Sequence, residues 1–371
     1  MDAPAVNSRI RILDILRGFA VLGTLGTNIW IFAHLGDLQS IFTYGRTTEW
    51  WNSADTFVNT LALSLITGKF LGLLAILFGV GLELKYRQFE RRGRAWPGAY
   101  LLVCAMLMLE GLIHFALVME YDILMGYAAA GVIVAFIVRG GSRAIRRALI
   151  GFGSVHVVLI LLSVLGDASF GSMDEVVRMY RDGTWLEQVS YRLSHFLELR
   201  FEVVFTLPLN VFLFLLGVLL MRSGAFEAGE RGRLIRRRML RIGLAAGLPL
   251  NLLLFVPGGL FDFPVRYLFA PVLSVGYMAL FAAAFEKRPR LALWGWLERA
   301  GRMSLSLYVL QNLLGNIVFY GWGLGLGGRL NAWEVLASWL ALTVVQLIFA
   351  QLWLKRFRLG PMEFVRKRVV A

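Results

Sequence analysis

The sequence predicts an all-α, polytopic integral membrane protein with about ten transmembrane helices and both termini cytoplasmic. Three observations carry that reading. The chain is 58% hydrophobic and only 17% charged over 371 residues, too apolar for an ordinary soluble core. Several apolar runs reach the roughly 20 residues that a helix needs to cross a bilayer. The basic residues fall in short bands beside those runs, and the bands alternate between a rich side and a poor one.

Taken in order, the spans lie near residues 12–33, 57–84, 97–118, 121–138, 145–165, 201–221, 239–256, 264–284, 303–320 and 333–354. A brief basic region precedes the first run and no small-residue cleavage site follows it, so it reads as a retained span and not a signal peptide. The second run is long enough to tilt or to begin in the interface. The third and fourth are joined by VMEYDIL, which holds only a tight turn. Two outer loops, near 34–56 and 166–200, exceed a simple connection. In the second, MDEVVRMYRD and WLEQVSYRLSHFLELRFEV have the periodicity of amphipathic helices lying along the membrane surface. The chain reads as one membrane domain, 1–371. Its long basic segment 222–241 separates N-terminal helices, 1–221, from a C-terminal set, 222–371.

Charge tests the count. With the N-terminus in the cytoplasm, cytoplasmic segments and the span ends beside them hold 29 of the 38 Lys and Arg residues, and outer segments with their adjoining span ends hold seven. The remaining two, Arg17 and Lys69, are counted as lying inside spans. The net charge of +14 therefore serves topology and contact with anionic membrane lipids, and nucleic acid is not an expected partner. The single cysteine, Cys104, excludes an intramolecular disulfide and a cysteine metal cluster. The four histidines lack metal-ligand spacing, so no metal is predicted. No GxxxxGK[ST] run is present, which argues against an ATP-driven pump.

Polar residues inside apolar spans are the candidate site, because an ionisable group at membrane depth needs a partner or a wet cavity. Asp14 and Arg17 are three apart in the first span and can pair, while a capping Asp and a snorkelling Arg would be the structural alternative. Asn28 stands on the same helix. Lys69 sits among small residues, suited to a phosphate or carboxylate, or to pairing with Asp55 or Glu110. In EGLIHFALVMEYDILMGYAAAG, Glu110 and His114 share a helical face as an acid–base couple, followed by Glu120, Asp122 and Tyr127. A core His114 and a helix-capping Asp122 are the alternative. His34 stands at the outer mouth of the first span. Tyr308, Gln311, Asn312 and Asn316 form a polar stripe in the ninth, which either packs against other helices or lines a cavity.

Three stretches carry a resemblance. LDILRGFAVLGTLGTNI, GLIHFALVMEYDILMGYAAAG, and GRMSLSLYVLQNLL with the later WLKRFRLGPMEF are similar, in order, to motifs of the bacterial YeiB-like membrane proteins. Their second motif reads LxHxxxxxGDILxxYAxxG, and their C-terminal domain of unknown function runs from GRMALTNYLLQS to FGPLEW. Tyr121 replaces the glycine of GDIL here. That family resembles the transmembrane acyltransferases, which include the lysosomal heparan-glucosaminide N-acetyltransferase. The resemblance implies an enzyme of the bacterial cytoplasmic membrane that moves an acyl group from cytoplasmic acyl-CoA, such as acetyl-CoA, to an outer acceptor, a glycan or lipid-linked molecule. On this scheme His114 or His34 is catalytic, with Glu110 and Asp122 beside it. Arg17, ordered by Asp14, holds the donor with Asn28 and Lys69. Glu120, Tyr127, Tyr308, Gln311, Asn312 and Asn316 line the substrate path. A proton-coupled transporter and a non-enzymatic scaffold remain open alternatives, and small residues along several spans permit a homodimer. The enzyme requires a basic, CoA-sized cleft leading to a histidine. The transporter requires broken helices at a midplane site.

Overall fold

The computed structural model describes residues 11–166, 173–227 and 229–370. The first ten residues, on which the expected N-terminal orientation bears, lie outside the described set. Every regular element described is helical. The main helices are α1 (Arg11–Ala33), α2 (Ala54–Ile66), α3 (Lys69–Arg91), α4 (Tyr100–Leu117), α5 (Leu124–Val138), α6 (Gly141–Leu165), α7 (Asp174–Asp182), α8 (Trp185–Ser194), α9 (Val203–Ser223), α10 (Glu230–Ala245), α11 (Ala270–Lys287), α12 (Ala292–Arg302), α13 (Ser304–Phe319), α14 (Ala332–Arg356) and α15 (Pro361–Val370).

The chain is a polytopic, all-α membrane protein. Among the described residues, eight helices are long and apolar enough to cross a bilayer. Two expected spans, α5 and α13, are shorter, at 15 and 16 residues. At 1.5 Å per residue each is about 23 Å long, less than a hydrocarbon core of about 30 Å. The second expected span, 57–84, is two helices. Gly68 takes φ +80°, a left-handed conformation that breaks the helix between α2 and α3. The seventh, 239–256, also breaks: α10 ends at Ala245, and Gly247–Leu252 continues as a separate short helix. The eighth opens with a π-helical turn, Pro264–Phe269, before α11.

The centre of the bundle is α1, buried along nearly its whole length. Glycines permit its closest contact. A Cβ added at Gly18 would lie 2.0 Å from the Leu297 carbonyl oxygen, and one at Gly301 would lie 1.8 Å from that of Asp14. Short, amphipathic α12 thus packs backbone to backbone on α1, burying Trp294 and Leu297. Gly79 and Gly217 do the same for α3 and α9, each facing a carbonyl at 2.0 Å. Helix α6 is the opposite case. It turns Val158, Leu161, Leu162 and Leu165 outward, as a lipid-facing helix does.

The second outer loop holds the amphipathic helices that its periodicity predicts, α7 and α8. A Thr184–Glu187 capping box starts α8. Together they cover the end of the bundle opposite the basic bands. Tyr180 and Arg192 reach inward and are fully buried. Burial and the nearby Glu120 carboxylate push the Tyr180 phenol well above its usual range.

Candidate functional site

The site begins at the α4–α5 hairpin. The last turn of α4 closes with the Val118 and Met119 amides donating to the His114 carbonyl. The chain then reverses, and Asp122 returns beside the His114 ring. His114 Nδ1 lies 3.0 Å from Asp122 Oδ2, and both side chains are essentially excluded from solvent. The contact is bent away from hydrogen-bond geometry, so it acts as a close electrostatic pair. The other oxygen, Oδ1, accepts the Met125 amide at 3.0 Å and starts α5. Asp122 is thus both a helix cap and the histidine's partner.

Helix α13 supplies the other face. The Asn312 amide nitrogen meets His114 Nε2 at 3.0 Å, and the Asn312 oxygen accepts from Asn28 Nδ2 of α1 at 3.0 Å. Because an amide nitrogen only donates, Nε2 is the acceptor in this arrangement and the ring hydrogen sits on Nδ1, facing Asp122. The Tyr308 hydroxyl accepts the Ile123 amide at 3.3 Å and donates to Asp122 Oδ2 at 3.4 Å. Its ring lies 4.9 Å from that of His114. A chain Asn28–Asn312–His114–Asp122–Tyr308 therefore links three parts of the molecule that are distant in sequence.

Cavities lie on both sides of this chain. Toward the basic end, a cleft of about 370 Å³ is lined by Arg17, Lys85, Arg302 and Arg366, and deeper in by Phe78, Leu107, Tyr127 and Tyr308. It shares Lys85, Tyr100, Val103, Glu363 and Arg366 with a mouth of about 670 Å³, where Arg92, Arg94 and Lys367 join them. Toward the opposite end, a smaller cavity of about 80 Å³ is lined by Asn28, Asp122, Arg200, Glu202, Arg266 and Tyr267, among others. Ile123 and Tyr127 line both this cavity and the cleft. Of the histidine chain, Asn28 and Asp122 line the smaller cavity and Tyr308 lines the cleft, whereas His114 and Asn312 line neither.

The expected residues divide accordingly. Asp14 and Arg17 pair at 3.5 Å, with Asp14 buried and Arg17 partly open to the cleft. Glu110 is not the partner of His114. It binds Arg366 of α15 at 2.5 Å, while His114 faces Asp122. Spacing placed Glu110 on the right face, but α15 folds back under the bundle and claims it. His34 is apart from the cluster: its Nδ1 meets the Trp30 carbonyl at 2.8 Å, one turn back on α1. Lys69 is wholly buried at the Gly68 break and donates to the Leu63 carbonyl at 3.3 Å. It lines neither cavity, and neither Asp55 nor Glu110 is its partner. Asp55 instead accepts the Ala332 amide at 2.6 Å.

Glu120 is buried beneath the α7–α8 cover, 4.0 Å from Arg192, and lines no cavity described above. Asn316 donates to the Val118 carbonyl at 2.7 Å and braces the hairpin. Gln311 is buried, with neither amide atom hydrogen-bonded among the described residues. Tyr127 donates to the Leu71 carbonyl at 2.8 Å and separates the cavities. No group of three or more His, Cys, Asp or Glu side chains that could hold a metal occurs among the described residues.

Sequence reasoning missed the other walls. Lys85, Arg302 and Arg366 read only as topology bands. Arg366 has a local clue: three residues earlier, Glu363 accepts the Leu305 and Ser306 amides and the Ser306 hydroxyl, so α15 docks on the start of α13. Arg200, Glu202 and Tyr267 of the outer cavity had no distinguishing pattern. Tyr267 donates to Glu202 at 2.5 Å, and Arg200 donates to the Asp122 carbonyl at 2.9 Å.

These features define a polytopic membrane protein with a buried histidine-centred polar network in its bundle. Residues 220–371 match a family described as "Protein of unknown function (DUF418)". The chain is 29% identical to the "Uncharacterized protein YeiB" of Escherichia coli (strain K12), covering 96% of this chain and 95% of that protein. It is 26% identical to the "Uncharacterized protein YxaH" of Bacillus subtilis (strain 168), covering 97% of this chain and 93% of that one. The C-terminal part of the chain thus matches the DUF418 family, and nearly the whole chain is similar to YeiB-like bacterial proteins. The relatives' descriptions name no activity, and nothing in the matches ties the chain to acyltransferases. No solved structure matches it.

Proposed function

We propose that the protein is an acyltransferase that takes an acyl group from acyl-CoA on the basic, cytoplasmic side and passes it to an acceptor on the other side. One observation carries this reading: the basic mouth opens into a cleft that reaches Tyr308, and a second polar cavity reaches Asp122, the two residues that flank the buried His114 ring. Arg17, Lys85 and Arg302, together with Arg92 and Arg94 of the mouth, suit the phosphates of the donor, since guanidinium and ammonium groups form charge-assisted bonds with phosphate oxygens. The apolar depth along Phe78 and Leu107 suits its uncharged arm. The thioester supplies the activated acyl group.

His114 does the proton work. When the Asn312 amide swings aside, Nε2 is free to take the proton from an acceptor hydroxyl or amine in the outer cavity. The acceptor atom then forms its bond to the acyl carbon as the carbon–sulfur bond breaks, and Nε2 returns the proton to the departing sulfur. Asp122 holds the ring in the required tautomer and stabilises the imidazolium formed in between. The bent Asp122 contact fits a site that tightens only with substrate. Arg200, Arg266 and Glu202 give the outer cavity the charges to orient a polar acceptor, such as a glycan or the head of a lipid-linked molecule.

The test is equilibrium binding of radiolabelled acetyl-CoA to purified protein in nanodiscs, with release of free CoA followed on the same samples. The Arg17→Gln/Lys85→Gln double variant is expected to weaken binding about tenfold or more, as two charged phosphate contacts are lost. His114→Gln is expected to keep binding and lose the release of CoA. Absence of binding to the folded wild-type protein, with acetyl or longer acyl chains, rejects the reading.

A second reading rests on the breaks at Gly68, at Ala246 and in the π-helical turn Pro264–Phe269, since discontinuous helices form the central sites of many transporters. It predicts proton-driven solute flux into proteoliposomes and no handling of acyl-CoA.

A further inference from the structure

Helices α10 and α11 cross at a pair of glycines. A Cβ added at Gly243 would lie 2.3 Å from the Gly276 backbone, so the helices touch there directly. From that point toward the basic end they run for seven residues, about 10 Å, to Arg236 on α10 and Ala283 on α11. Side chains larger than glycine then hold the helices apart, and a niche of about 280 Å³ opens between them. Its floor is apolar, made by Leu240 and Ala283. Its walls carry Arg233, Arg236, Arg237 and Lys287, opposed by Glu286.

The three arginines share a helix face with Leu240 by spacing: 233, 236, 237 and 240 follow i, i+3, i+4, i+7. Arg236 is the built part. It is 8% exposed, pairs with Glu286, and donates to the Ala225 and Glu227 carbonyls. Its Nε is buried and has no partner among the described residues. Arg236 therefore neutralises Glu286 and fixes the wall. Arg233, Arg237 and Lys287 are solvent-exposed and lack a carboxylate of their own in the niche. This is a positive pocket at the ends of two membrane-crossing helices, where lipid headgroups lie, and it is separate from the acyl-donor cleft.

We propose that this niche binds the phosphodiester headgroup of an anionic phospholipid from the leaflet at the basic end. A phosphate oxygen would meet the Arg233 and Arg237 guanidiniums while the acyl chains follow the outer faces of α10 and α11. The recognised chemistry is a phosphate anion, which a soluble phosphate ester also presents. The depth of the pocket at the bilayer edge and its apolar floor favour the lipid.

The experiment measures binding of spin-labelled phosphatidylglycerol and phosphatidylcholine to the full-length protein in nanodiscs. Wild type is expected to prefer phosphatidylglycerol. Arg233→Gln/Arg237→Gln should reduce that preference about tenfold, the loss of a charged contact or two. Arg146→Gln/Arg147→Gln removes two exposed cations from the start of α6 and should leave it within about twofold. Ala283→Leu fills the floor without changing any charge and should also lower the preference. All variants are compared at equal thermal stability. Equal losses in both double variants, an unchanged Ala283→Leu protein, or full competition by soluble glycerol phosphate would each overturn the proposal.

Discussion

His114 and Lys69 are both buried nitrogen bases in apolar helices, and the protein satisfies them in opposite ways. Around His114, side chains from α13 and the α4–α5 hairpin converge, and each ring nitrogen faces a polar group. Around Lys69, the backbone does the work: the helix breaks at Gly68 and the amine turns to the Leu63 carbonyl. A network built from distant side chains specifies a geometry and is costly to leave half-made. A backbone carbonyl at a helix break asks for no particular partner. That carbonyl also accepts the Thr67 amide, so it stays satisfied without the lysine. The difference separates an arrangement able to perform chemistry from one that settles a local conformation.

The sharpest way to break the contrast is Asp122→Ala. It removes the carboxylate facing His114 Nδ1 and the cap on the Met125 amide at once. A loss of about 3 kcal/mol is expected in denaturant unfolding of the detergent-solubilised protein, because buried polar groups are left unpaired. A loss below about 1 kcal/mol would place the network on the same footing as Lys69.

A smaller effect tests the assignment of partners. Glu110→Gln should weaken the docking of α15 by about 1 kcal/mol, since Arg366 keeps partial solvent access. Faster proteolysis at the α14–α15 junction should report it, with the ¹⁵N imidazole signals of His114 unmoved. A shift of those signals would return Glu110 to the histidine.

The smallest effect is expected from Lys69→Met, which keeps the length of the side chain and removes the amine. Stability should stay within about 0.5 kcal/mol of wild type or rise, as replacement of a buried ionisable group by an apolar one of similar volume often does. A loss of several kcal/mol in the same unfolding assay would show that the break at Gly68 depends on the amine.

Much of the fold was legible in the sequence because the bilayer asks for long apolar runs, and composition records them. The Asp14–Arg17 pair was legible because its partners are three residues apart. The tight α4–α5 hairpin was legible from the seven residues available to it. The break at Gly68 was not, since glycine between small residues also suits a close-packed helix. The partner of His114 was misread for a related reason. Spacing reports neighbours on one helix, whereas Arg366, which takes Glu110, arrives from 256 positions away.

By itself, the sequence determined an all-helical membrane protein, the basic banding of its ends, the amphipathic outer cover and a set of polar residues that apolar helices would not carry without cause. Each follows from local pattern and from the cost of exposing a polar group to lipid. Tertiary structure alone decided which of those polar groups meet. The glycine contact of Gly18 with Gly301 seats α12 on α1. The fold also brings Asn28 and Asn312 together, 284 positions apart, and sets Asn312 against His114. Hydrogen bonds and charge pairs act over a few ångströms, and only the packed bundle fixes which side chains stand within that distance.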